Sequence, residues 1–370
     1  MNRKQFRGQN EFPRIHPQLF PFLSVILLMR KAIPISFILL FAVGTSVRAQ
    51  FDTQLSNYWA AKNYYNPGCA GQSGRLELTG LYRMQWLGME HPPKSAVVLA
   101  EMPLPLMGKE HGMGLSMYND QIGLFKTTMI SGQLALKMKL FRGSLGIGLQ
   151  AGYITDSFDG TKIENPDDEQ HNPIDPAIPT TQISGNSIDA AFGIYYTDSL
   201  KRWYVGLSAT HLLAPSLKLN ETYVRDIPRT YYFTAGYNIR LNNPLLELRP
   251  SVLLKTTEMS YLYIDKDSMV VATKPNTLKG MLRQTQVDVS LRMVYNNMLW
   301  GGLSWRKGES MIVMLGAQFK MMEIGYAYDV PFFSDLIRVT SGSHELFIKY
   351  VVEMNLGKGS KGKHKSVRIL

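Results

Sequence analysis

No run after Gln50 reaches the ~18 to 20 consecutive apolar residues that a membrane helix needs. What recurs instead is a change of character at every second residue. In the first such stretch Leu76, Leu78, Gly80, Tyr82, Met84 and Trp86 fall on one side, while Arg75, Glu77, Thr79, Leu81, Arg83 and Gln85 fall on the other. A period of two belongs to a β-strand with two unlike faces. Fourteen segments of this kind fit between residues 75 and 356, at 75–87, 94–102, 111–119, 124–140, 143–157, 187–198, 202–213, 229–241, 245–256, 283–296, 298–306, 310–320, 321–330 and 343–356. The pattern is clearest where Leu134, Leu136, Met138 and Leu140 oppose Gln133, Ala135, Lys137 and Lys139.

A soluble sandwich would alternate too, so the connections decide. Bacterial membrane barrels have an even number of antiparallel strands, short turns at one end and long loops at the other. Here the long connections are the fifth (158–186), seventh (214–228), ninth (257–282) and thirteenth (331–342), all odd. Even-numbered ones such as Phe141-Arg142 and Ser199 to Lys201 are tight. Aromatic residues near the strand ends, among them Tyr82, Trp86, Tyr195, Tyr196, Trp203, Tyr204, Tyr231, Tyr232, Trp300, Trp305, Tyr326 and Tyr328, fit girdles at a membrane interface. The sequence therefore predicts an all-β fold, a transmembrane antiparallel barrel of about 14 strands over residues 75–356. Charged residues near strand ends (Arg83, Asp120, Arg306, Asp329 and Glu345, with Gln85 beside them) must then face the lumen or the rim, because burying each in hydrocarbon costs several kcal/mol. Glycines on the polar face, such as Gly146, Gly148, Gly193 and Gly206, suit close approach of something inside the lumen.

Residues 1–49 do not belong to that fold. Arg30-Lys31, the apolar run from Ala32 to Val43 and the small residues of Val47-Arg48-Ala49 describe a secretory signal peptide cleaved before Gln50, with Met29 as the expected working start. The net charge of +11 changes meaning once this leader is removed. Its seven basic and one acidic residues take +6 with them, and the tail 357–370 holds the other +5, so residues 50–356 are neutral. A neutral body offers no basic groove for nucleic acid.

Between leader and barrel lies an aromatic-rich segment, 50–74, with Tyr58, Trp59, Tyr64 and Tyr65. Asn66-Pro67 ends any helix begun near Leu55, because proline fixes its own φ and holds the preceding residue extended. So much apolar ring surface has to be buried somewhere, either in the lumen as a plug or on a periplasmic partner. The even strand count places both termini on the periplasmic side.

The chain resembles the PorP/SprF family, outer-membrane proteins tied to the type IX secretion system of Bacteroidota. The matching residues are Gln54 to Tyr58, Asn66-Pro67 with Ala70-Gly71, and Tyr82-Arg83 followed by Gln85-Trp86 and Gly88. In order there follow Asn119-Asp120 with Gly123, Gly193 to Tyr196, Gly206 to Ser208 with His211-Leu212, Gly325-Tyr326 with Tyr328-Asp329, and His344-Glu345 with Tyr350. The likeness covers essentially everything after Gln50. It departs at Gly68-Cys69, where small or aromatic residues are more usual, and in the long N-terminal extension and the lysine-rich tail. The resemblance implies a role in gliding motility and in secreting or surface-attaching particular cargo or adhesin proteins, with periplasmic lipoproteins and other type IX components as partners. A channel or transporter for small solutes is the alternative.

Chemistry for catalysis is missing from the pattern. His91, His111, His211 and His344 have no metal-like spacing, and one cysteine, Cys69, excludes both a disulfide within the chain and a Cys-based zinc site. No G-x-S-x-G motif occurs, and Gly112-Met113-Gly114 is a strand feature with no helix pattern behind it. The sequence gives no reason to expect an enzyme, a cofactor or a metal. Its signature residues are expected to serve structure or partners: Tyr58, Trp59, Asn66, Pro67, Gly71, Arg83, Gln85, Trp86, Asp120, Gly123, His211, Tyr326, Asp329, His344, Glu345 and Tyr350.

Overall fold

A computed structural model of the protein describes residues 52–354 apart from 107, 163–178, 222, 259–260, 265–270, 275–284 and 334. The expected signal peptide, Met29, Gln50 and the basic tail 357–370 lie outside the described residues.

Fourteen strands form the wall: β1 Leu76–Met84, β2 Lys94–Leu106, β3 Lys109–Ile122, β4 Phe125–Leu140, β5 Gly143–Asp159, β6 Gln182–Asp198, β7 Trp203–Thr210, β8 Thr230–Tyr237 (resuming at Ile239–Arg240), β9 Leu246–Thr257, β10 Gln286–Tyr295, β11 Leu299–Arg306, β12 Ser310–Phe319, β13 Met322–Val330 and β14 Ser343–Val352. Each pairs antiparallel with its predecessor, and β14 pairs back on β1 from Leu76↔Val352 to Met84↔His344, so the sheet closes on itself. Closure removes every exposed strand edge, which is what a sheet needs in order to stand in hydrocarbon.

The burial pattern is inside-out. Along β4, Leu134 and Leu136 are 56% and 54% exposed while Ser131 and Gln133 are buried. Along β1 the outward residues include Leu78 and Tyr82, and the buried ones are Glu77, Thr79, Leu81 and Arg83. A water-soluble protein reverses this assignment. An apolar outer band over a polar interior is the surface of a membrane barrel.

Odd-numbered connections gather at one end, here the loop end, and even-numbered ones at the other, the turn end, where β1 begins. The turns there are tight enough to require left-handed backbone, at Phe141 (φ 49°), Lys201 (φ 54°), Asn296 (φ 50°), Asn297 (φ 51°) and Lys320 (φ 51°). Alternation misplaced some boundaries. Strand β7 stops at Thr210 and not at residue 213, because His211 adopts φ 55° and leaves the wall. Two of the long loops also carry short hairpins of their own, Ser216–Lys218 with Val224–Asp226 and Tyr261–Ile264 with Val271–Lys274.

Candidate functional site: the N-terminal segment inside the barrel

Residues 52–71 lie in the lumen. Leu55, Ser56, Asn57, Tyr58, Ala61, Tyr65, Asn66 and Ala70 are each no more than 2% exposed. The segment folds as three single turns, Tyr58–Ala60, Lys62–Tyr65 and Pro67–Cys69. Asn66 (φ −143°) ends the second turn and, through its side chain, accepts a hydrogen bond from the Gly68 amide to start the third. Single turns leave most backbone groups without partners, and buried backbone groups must find some. Wall side chains supply them: Ser208 donates to the Tyr65 carbonyl (2.6 Å), Gln133 to that of Asn63 (2.8 Å) and Lys255 to that of Asp52 (2.8 Å). Glu101 accepts from the Gly71 amide (2.8 Å).

Three contacts hold the plug. The first, near the loop end, is ionic. Glu345 on β14 accepts from the amides of Ser56 and Asn57, both at 2.7 Å. Arg83 on β1 donates to Ser56 Oγ (2.6 Å) and to Asp329 on β13 (2.7 Å), while Arg306 on β11 reaches Asp329 (3.0 Å) and Asp288 (2.9 Å). All of these side chains are essentially solvent-free, so each charge depends on its neighbours for compensation.

The second contact is also near the loop end. His211 stands between Asp189 (2.5 Å) and Asp52 (2.9 Å), and Asp52 also accepts from the Tyr232 hydroxyl (2.5 Å). Burial would raise the Asp52 carboxyl, but the facing imidazolium holds it well below the usual carboxylate range. Burial would lower His211, and the carboxylate of Asp52 outweighs that, so its imidazole is pushed up to about 10. At neutral pH the contact is a cation between two acids.

The third is steric. Toward the turn end the Asn66-to-Gly71 backbone lies on a wall surface built of glycines. A Cβ on Gly148 would stand 2.2 Å from the Pro67 carbonyl carbon, and one on Gly193 would stand 2.1 Å from Asn66 Oδ1. Asn66 Nδ2 donates to the carbonyls of Ile194 (3.0 Å) and Leu207 (3.2 Å), which the missing side chains leave open. Opposite this surface Trp59 meets Trp300 and Phe347 edge to face at 5.0 and 5.4 Å, and the Arg292 guanidinium lies 3.3 Å from its ring centre. Tyr65 packs edge-on against Tyr232 at 5.2 Å. Beside the plug a cavity of about 20 Å³ remains, bordered by Tyr64, Tyr118, Gln150 and His211, which is room for one water molecule.

The expected site residues divide in two. Tyr58, Trp59, Asn66, Pro67, Gly71, Arg83, His211, Asp329 and Glu345 converge on the plug. Asp120 is luminal but pairs with Ser95, away from the ionic contact. Gln85, Trp86 and Gly123 lie in loop-end connections, where Trp86 (φ 55°) and Gly123 (φ 58°) serve turn geometry. Tyr326 bonds His344 (2.6 Å) without touching the plug, and Tyr350 faces outward. Tyr195, Tyr232 and Trp300 are not girdle residues, since they are buried on the luminal side, where the plug gives them ring and backbone surface to cover. Asp52, Asp189, Lys255, Asp288 and Arg292 escaped the sequence reading. Alternation places the wall members of this group on the inner face, but only the folded plug shows what they meet.

Fold and lumen together define a class: an outer-membrane β-barrel whose interior is occupied by its own N-terminal segment. Within that class the chain belongs to the PorP/SprF family, since the family model described as type IX secretion system membrane protein PorP/SprF matches residues 47–350. No curated protein matches the sequence. Similar solved structures include the Pseudomonas putida toluene transporter TodX (10% identity, 85% of this chain and 96% of that chain covered, TM-score 0.44). Others are the monoaromatic hydrocarbon channel CymD (11%, 83% and 95%, 0.43) and Haemophilus ducreyi BamA lacking POTRA domains 1–3 (10%, 74% and 70%, 0.39). At such identities the likeness concerns the barrel fold alone.

Proposed function

We propose that this protein works in type IX secretion and gliding as a non-catalytic outer-membrane platform, which aids export or surface attachment of particular cargo and engages periplasmic lipoproteins. Its turn end, where β14 finishes, faces the periplasm and its loop end faces outward, which puts Asp52 at the outer end of the lumen and not, as expected for both termini, on the periplasmic side. Family membership supports the secretion role, and the observation that carries the platform reading against a solute channel is the filled lumen. A channel needs a continuous wet path, whereas here rings, charges and backbone from around the wall close on the plug. The test is a deletion strain complemented with Tyr58→Ala/Trp59→Ala. This variant is expected to reach the outer membrane as a heat-modifiable barrel yet to fail in displaying cargo at the cell surface. Normal display would refute a functional plug, and restored solute uptake as the only phenotype would favour the channel.

A further inference from the structure

At the turn end six cations stand along one arc of the rim: Lys109, Lys139, Arg142, Lys201, Arg202 and Arg240. They sit on or beside the four consecutive turns that join β2 to β3, β4 to β5, β6 to β7 and β8 to β9, and all six are exposed. Among the described residues Arg202 is paired with Asp198 (2.6 Å), and the other acids on or beside these turns are Glu110 and Glu247, the latter opposite Arg240 and paired with Arg249 (2.8 Å). Lys109, Lys139, Arg142 and Arg240 make no ion pair there. Adjacent turn tips are two strand spacings apart, roughly 10 Å, so the arc spreads over roughly 30 Å. Charge distributed so thinly does not fit a single small anion.

The tips carry a second, independent feature. Phe141 is 92% exposed and Leu200 69% exposed, each beside one of these cations. Phe141 and Lys201 also occupy left-handed positions, where Asn or Gly is the unstrained choice and where Asn296-Asn297 stand on the β10–β11 turn. On the same rim, outward-facing Trp203 and Tyr237 mark the edge of the apolar band.

We infer that this arc is a binding surface for anionic phospholipid, with the apolar tips inserted among the headgroups and the cations on their phosphates. A leaflet satisfies both features at once, because it is flat, carries many spaced anionic charges, and offers an apolar layer to Phe141 and Leu200. An acidic protein would match the charges and leave these tips unexplained. The inference rests on the orientation proposed above, in which phospholipid and not glycolipid borders the turn end. Its test is independent of sidedness and of secretion.

Purified protein in discs of equal phosphatidylglycerol and phosphatidylcholine is analysed for bound lipid by native mass spectrometry. Wild type is expected to retain phosphatidylglycerol selectively, and Lys139→Glu/Arg142→Glu/Lys201→Glu is expected to lose about tenfold of that selectivity. Reversing loop-end Lys94 and Lys126 is expected to change nothing. Should the triple variant fail to give a heat-modifiable band, Arg142→Gln/Lys201→Gln takes its place with a smaller loss expected. Selectivity that is absent in wild type, or unchanged in the rim variants, overturns the inference, including the case where those variants lose an acidic protein instead.

Discussion

Among single residues, the glycines under the plug make the sharpest prediction. Gly148 has no room for a side chain against Pro67, so Gly148→Val should lift the Asn66-to-Gly71 turn while leaving the outer face of β5 unchanged. Cys69 reports it. Burial pushes its thiol well above the ordinary range, so it should resist maleimide in the native barrel and react in the Gly148→Val variant. Equal resistance in both proteins would show that the seat yields without displacing the plug. Titration probes the His211 contact. Its folded value lies above the ordinary one near 6.5, so its stabilisation is complete below that pH and is lost as pH rises through about 10. Asp52 is depressed, so its share holds above the ordinary carboxylate value and fails only in strong acid. Amide protection of residues 52–56 should therefore be level between pH 5 and 6, decline progressively above about pH 6.5 and reach its floor by pH 11, and flat protection to pH 11 would contradict the assignment. Much of this chemistry was legible one residue at a time, as with Arg83, Asp329 and Glu345, because a charge in a lipid-spanning strand has only the lumen to face. The partners were not legible, since Ser56 and Asp52 precede the first strand and carry no periodicity to aim them.

Among elements, the plug is a piece of chain with little structure of its own. Its single turns persist because the wall supplies both its hydrogen-bond partners and its apolar cover. Truncating a buried Trp or Phe commonly costs about 3–5 kcal/mol. Removing Tyr58 and Trp59 together should therefore unseat the segment while the strand ladders, which do not pass through it, remain. In planar bilayers this double variant should show steady conductance where wild type is nearly silent, and wild-type silence in both would mean that the segment stays in place without its rings. The strands were readable as elements, in number and nearly in extent, because period two survives wherever one face meets lipid. The loop hairpins were not, being too short to show any period.

For the whole molecule, the parity of connections sets the sidedness. A cysteine at Glu221, in the β7–β8 loop, should react with an impermeant reagent on intact cells, and one at Asn243, in the β8–β9 turn, should stay silent until the outer membrane is opened. The reverse pattern would invert the proposed orientation. Closure follows from the same strand count, and here the plug has one more consequence. The strands that must meet last in sequence order, β1 and β14, bring Arg83 and Glu345 opposite each other across the seam, and both reach Ser56. Zipping that seam around an empty interior would leave Arg83 paired with Asp329 and Glu345 on the wall, but without the Ser56 hydroxyl and the Ser56 and Asn57 amides that complete their hydrogen bonds. A residue from before the first strand is thus bonded across the join itself, to β1 through Arg83 and to β14 through Glu345, so that the occupant doubles as a clasp on the one seam that chain connectivity leaves unlinked.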